Sequence, residues 1–118
     1  MIKNSVLLNC FKLSSKVTVY VPATTGINQP IDNSEYVDRV ATLLSNCFGG
    51  ATSTQALGMW VSPSEGLVKE RTTPVYAYCN DSDLEEHCEE VVNLCLAIKT
   101  ELSQDAVALE INGEMYFI

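Results

Sequence analysis

The segment DSDLEEHCEE, residues 81–90, gathers most of the side chains in this sequence that could hold an ion or move a proton. Six carboxylates surround the sole histidine, His87, with Cys88 beside it and Cys79 and Cys95 nearby in sequence. Zinc needs thiolate, imidazole or carboxylate donors that converge tetrahedrally, usually from CxxC-type pairs. On a helix, Cys88 and Cys95 lie two turns apart, about 10 Å along the axis, so one ion cannot easily take both. Adjacent His87 and Cys88 point about 100° apart, which works against a Cys–His nucleophilic pair. An EF-hand would need a central glycine and ligands at alternating loop positions, and neither is present. The segment reads as a solvated helix start whose charges suit the helix dipole. Its Asp83, Glu86 and Glu90 are candidate contacts for a basic protein partner. No metal and no cofactor are expected.

A second candidate region is GMWVSPSEGLVKERTT, residues 58–73, which holds the only tryptophan. Trp60, Glu65, Glu70 and Arg71 there form neither a paired-carboxylate acid/base site nor a phosphate loop. GxGxxG, P-loop and GxSxG patterns are absent throughout. Cross-strand charge pairing or a contact rim is the expected use of these charges. Tyr20, Tyr76 and Tyr78 join Trp60 as aromatic candidates for an open sheet face. In RNA-binding sheets such aromatics stack on bases, but the Lys and Arg that would meet the phosphates are missing. Homodimerisation through the sheet, another protein contact, or packing under the N-terminal arm fits better.

Charge supports that choice. The formal net charge is −8, and beyond Lys16 the chain carries 15 acids against 4 bases. Direct nucleic-acid binding, which rests on clustered basic residues, is not expected; a basic protein partner is. No apolar run approaches the roughly 18 residues of a membrane span, so no membrane partner is expected. The N-terminal apolar patch lacks a signal-peptide cleavage site. Five cysteines, an odd number, suit a reducing compartment, and the protein is expected to be cytoplasmic.

The elements that must position these residues follow from periodicity. KVTVYVP (16–22) alternates as a strand with Val17, Val19 and Val21 on one face. Asp32 and Glu35 read as a capping box before a helix whose stripe is Val37, Val40, Ala41, Leu44 and Phe48, stopped by Gly49–Gly50. STQALGMWVS and LVKERTTPVYAYC flank the turn PSEG as a hairpin. Pro74 inside the return strand argues for an edge position or a bulge. Residues 80–102 form a second helix with a capping box at Ser82 and Glu85. Its stripe is Leu84, Cys88, Val91, Cys95, Ile98 and Leu102. Asn112–Gly113 closes a terminal hairpin. The order strand, helix, strand, strand, helix, strand predicts an α+β, ferredoxin-like βαββαβ sandwich: an antiparallel sheet with two helices on one face, plus a short C-terminal strand. Residues 16–118 would form a single domain, with 1–15 an added strand or arm.

The stretches FGGAT, G-x-W-V-S…G-L-V-x-E and ALEINGEMYFI resemble a family of small uncharacterised proteins. These are encoded in bacteria and on phages, plasmids and conjugative elements, and the resemblance covers residues 16–118. It implies no catalytic residues. It implies a context in which small acidic proteins inhibit host defence systems such as CRISPR-Cas. The function expected is therefore a non-enzymatic protein that acts by protein–protein binding. The second expectation, of a different class, is a sheet-mediated dimeric small-molecule binder or enzyme of the dimeric α+β barrel type.

Overall fold

The computed structural model describes residues 5–26 and 29–118. Strand β1 (Ser15–Pro22) is its centre. Its valines at 17, 19 and 21 are fully buried, as the alternation requires. On one side β1 pairs antiparallel with β6 (Gly66–Cys79), from Ser15 opposite Cys79 to Pro22 opposite Thr72. On the other side it pairs with β7 (Ala108–Ile111), which continues through Asn112–Gly113 into β8 (Glu114–Phe117). Both turn residues have positive φ, +53° and +84°, as a two-residue hairpin demands. Along the outer edge of β6 lie first β4 (Thr52–Ser53) and then β5 (Ala56–Ser62). All these pairings are antiparallel. The fold is a mixed α+β arrangement with an antiparallel sheet.

Two long helices cover one face of that sheet. Helix α2 (Ser34–Phe48) buries Val40 and Leu44, and α3 (Asp81–Glu101) buries Val91, Cys95 and Ile98. These side chains form one cluster with Val17, Val19, Val21, Val75, Ala77 and Cys79. Helix α2 ends where expected, with Gly49 at φ +92° returning its N–H to Ser45. Both expected capping boxes are corrected. Asn33, not Asp32, opens α2, and its side chain donates inward to Thr73 Oγ1 and the carbonyls of Val21 and Pro22. Asn80, not Ser82, caps α3 and accepts the Asp83 N–H at 2.7 Å.

Pro74 is also reassigned, since it lies within a strand paired on both sides. Its carbonyl accepts from Thr54 N in the gap between β4 and β5. A residue's N–H and C=O point to the same side of an antiparallel strand, so the missing donor faces that break and no ladder bond is lost.

Two parts project from the core. Before β1, α1 (Ser5–Leu8) is a single helical turn, and Leu8 and Phe11 are exposed. Beyond Pro22, β6 outruns β1 and continues with β5 as a two-stranded ribbon. Between β1 and α2, Thr24–Thr25 (β2) and Gln29–Pro30 (β3) pair antiparallel as two short strands. No helix among the described residues is long and apolar enough to cross a membrane.

Candidate functional site: an acidic aromatic cleft at the root of the ribbon

The register of the ribbon decides which side chains share a face. Gly58 opposes Glu70, Trp60 opposes Val68, Leu57 opposes Arg71 and Met59 opposes Lys69. Glu70 therefore faces a residue with no side chain, and Trp60 reaches it diagonally, its Nε1 donating to Glu70 Oε1 at 3.5 Å. The expected cross-strand charge pairs do not form. Among the described residues Glu65, Lys69, Glu70 and Arg71 make no ion pair, because each charge meets an apolar residue, a glycine or solvent across the strand.

Trp60 and Glu70 belong to the face turned away from the helices, together with Tyr20, Thr72, Tyr76 and Tyr78. Tyr20 donates to Glu110 Oε1 at 2.5 Å. That hydrogen bond, then burial, then the Glu110 charge hold its phenol above the ordinary value of 10.0. Tyr76 and Tyr78 pack edge to face, with Lys16 Nζ 4.4 Å from the Tyr76 ring centre. Trp60 and Tyr78 are half exposed, and Leu13 of the arm lines a hollow with Tyr76 and Tyr78.

Where the ribbon leaves the sheet, the free edge of β6 is hollowed on both sides. One cleft of about 180 Å³ is bounded by Tyr20, Gly58, Glu70, Thr72, Gln104 and Val107. A neighbour of about 500 Å³ lies between Val68–Arg71 and the β2–β3 pair. Glu70 lines both, and Arg71 lines these and a third hollow against Asn33 and Ser34. Gln104 builds the wall: its Nε2 donates to the carbonyls of Thr24, Gly26 and Leu102, tying the loop after α3 to β2. Asn33, Gln104 and Glu110 were not among the expected site residues. Nothing local marks them, because each acts across 11 or more residues of chain.

The remaining expected contacts lie elsewhere. Glu65 sits at the exposed ribbon tip, where Ser62 Oγ accepts its N–H. Asp83 and Glu86 lie in the first two turns of α3, just past the Cys79 end of β6, and Glu90 lies midway along that helix. The helix covers the sheet face opposite to Trp60 and Glu70, so the two acidic regions are not one surface.

His87 Nδ1 lies 2.9 Å from Glu90 Oε1, and its Nε2 lies 4.0 Å from Glu86 Oε2. The Phe48 ring meets it edge-on at 5.9 Å. Cys47 of α2 donates its thiol to Glu90 Oε2 at 3.7 Å. All five cysteines are free thiols.

Comparison with known proteins turns on this fold. No protein-family model and no curated protein matches the chain. Among solved structures, a phage SAM lyase in complex with S-methyl-5'-thioadenosine aligns over 92% of this chain and 93% of its own, with a TM-score of 0.65 and 16% identity. A phage SAM lyase in the apo state aligns over 92% and 94%, with a TM-score of 0.65 and 18% identity. The fold is shared over 92% of the chain. The expectation of a non-enzymatic protein acting as an inhibitor of host defence is corrected by this finding: the fold is one that a phage SAM lyase uses.

Proposed function

We propose that the protein is an enzyme that binds S-adenosylmethionine in the cleft at the root of the ribbon and cleaves it as a lyase, releasing S-methyl-5'-thioadenosine. The observation that carries the reading is Glu70, set in an open cleft opposite Gly58 and held by the Trp60 indole, in a fold shared with a phage SAM lyase. The strand order β5-β6-β1-β7, with the two long helices on one face, supports a ferredoxin-like reading of the framework.

The chemistry of the ligand fits this cleft. An adenosyl sulfonium has a cationic sulfur, a flat nucleobase and an amino-acid arm with a carboxylate. Glu70 offers the anion, and Trp60 and Tyr20 offer ring faces on the same side of the sheet. The strongly acidic surface raises the local concentration of a cationic substrate.

Release of S-methyl-5'-thioadenosine breaks the bond between sulfur and the four-carbon arm, and sulfur keeps the electron pair. Positive charge on sulfur fades as that bond breaks. Pairing Glu70 with the sulfonium would therefore stabilise the ground state more than the transition state. Its contribution to rate is as a base that takes a proton from the arm carbon next to the one losing sulfur; the C–H electron pair becomes a carbon–carbon double bond in the arm as the C–S pair goes to sulfur, and no water is consumed.

The exposed Leu57, Met59, Trp60, Val61 and Leu67 of the ribbon support self-association through the sheet and ribbon, which would enclose the cleft. The test is direct. Purified protein incubated with S-adenosylmethionine should yield S-methyl-5'-thioadenosine by chromatography and mass spectrometry. Folded protein that neither turns over nor binds the substrate at millimolar concentration would refute the reading.

A further inference from the structure

We propose that Cys47, His87 and Glu90 form a binding site for a divalent transition-metal ion of the zinc class, bridging α2 and α3. The thiol sulfur, an imidazole nitrogen and a carboxylate oxygen of these three residues all lie within 4.8 Å of one another. Sγ of Cys47 is 3.7 Å from Glu90 Oε2, and Nδ1 of His87 is 2.9 Å from Glu90 Oε1. Zinc bonds of about 2.0–2.3 Å in a tetrahedron place donor atoms about 3.3–3.8 Å apart, so small rotamer changes suffice.

The surroundings are also those of a ligating histidine. With Nδ1 turned to the cluster, Nε2 faces the Glu86 carboxylate at 4.0 Å, from where a small rotamer change would make Glu86 the outer hydrogen-bond partner of a ligating imidazole. The Phe48 ring fixes the imidazole plane. A mixed sulfur, nitrogen and oxygen set selects zinc-like ions over magnesium or calcium, which take oxygen. Three protein donors leave the fourth position to water. Binding sends the Cys47 thiol proton to solvent and takes His87 as a neutral imidazole with its proton on Nε2, and the thiolate and Glu90 together balance the two positive charges. Asp83 and Glu86 add negative charge close by. The site is separate from the cleft at Glu70 and does not depend on the lyase reading.

Cobalt(II) titration of the reduced full-length chain tests it. A thiolate-to-cobalt charge-transfer band should appear and be displaced by Zn²⁺. Cys47→Ser should abolish the band, and His87→Gln should weaken binding at least about tenfold. Cys88→Ser, next to His87 but outside the cluster, should change neither. Absence of the band in the wild type at millimolar cobalt, or its survival in Cys47→Ser, would overturn the proposal. Should Cys47→Ser fail to fold, alkylation of the wild type decides. Zn²⁺ should shield Cys47 from iodoacetamide in peptide mass spectra, and unchanged labelling would refute the site.

Discussion

At the scale of single residues, the choice of Gly58 opposite Glu70 determines what the cleft can hold. A side chain at position 58 would stand on the same face as the carboxylate, and a Cβ there meets only the Glu70 carbonyl oxygen at 3.6 Å. The backbone thus tolerates a substitution, and its cost would fall on ligand access. Glu70→Gln is expected to lower turnover about 100-fold, the range for loss of a general base, with little change in melting temperature because the residue is only half-buried. Trp60→Ala should weaken nucleoside binding about tenfold, from a stacking loss of roughly 1–3 kcal/mol, read by calorimetry with S-methyl-5'-thioadenosine. Tyr20 offers a pH test. Its phenol titrates above 10.0 because Glu110 accepts its proton, so the stabilisation is present below pH 10 and lost as pH rises through the higher folded value. Ultraviolet titration should show the Tyr20 midpoint fall towards 10 in Glu110→Gln; an unchanged midpoint would refute that cause.

At the scale of elements, the helices show how local pattern and tertiary demand divide the work. Both apolar stripes were legible, and Leu44 and Ile98 lie fully buried where 3.6-residue periodicity puts them. Leu44→Ala should cost about 2–5 kcal/mol in denaturant unfolding. The caps were misread, for a physical reason. Asn, Asp and Ser residues cluster around each helix start, and any of them can accept an N–H. At α2 the β1–β6 carbonyls and hydroxyl claim the Asn33 amide, so the helix starts without a side-chain cap. At α3 Asn80 does cap, and Asn80→Ala should cost about 1 kcal/mol, measured as a lower urea midpoint with unchanged slope.

At the scale of the whole molecule, the shape is extended. The Cα radius of gyration is 16.1 Å, against about 13 Å for a compact chain of this length. The ribbon and the N-terminal turn account for the excess, and they carry most of the exposed large apolar side chains. A mass above the monomer is therefore expected by light scattering at micromolar concentration. Met59→Lys with Val61→Lys should shift it towards the monomer, and a wild-type monomer throughout would refute self-association.

The sequence alone determined the main strands, the two long helices and the two hairpins around Pro63–Gly66 and Asn112–Gly113, because periodicity and turn residues are local. Only the tertiary structure decided which of those residues meet. Trp60 and Glu70 come together through hairpin register, and Tyr20 and Glu110 through the pairing of β1 with β7. Cys47 reaches Glu90 across 43 residues because α2 and α3 lie side by side on the sheet. Such encounters depend on packing between distant elements, and no spacing within one element records them.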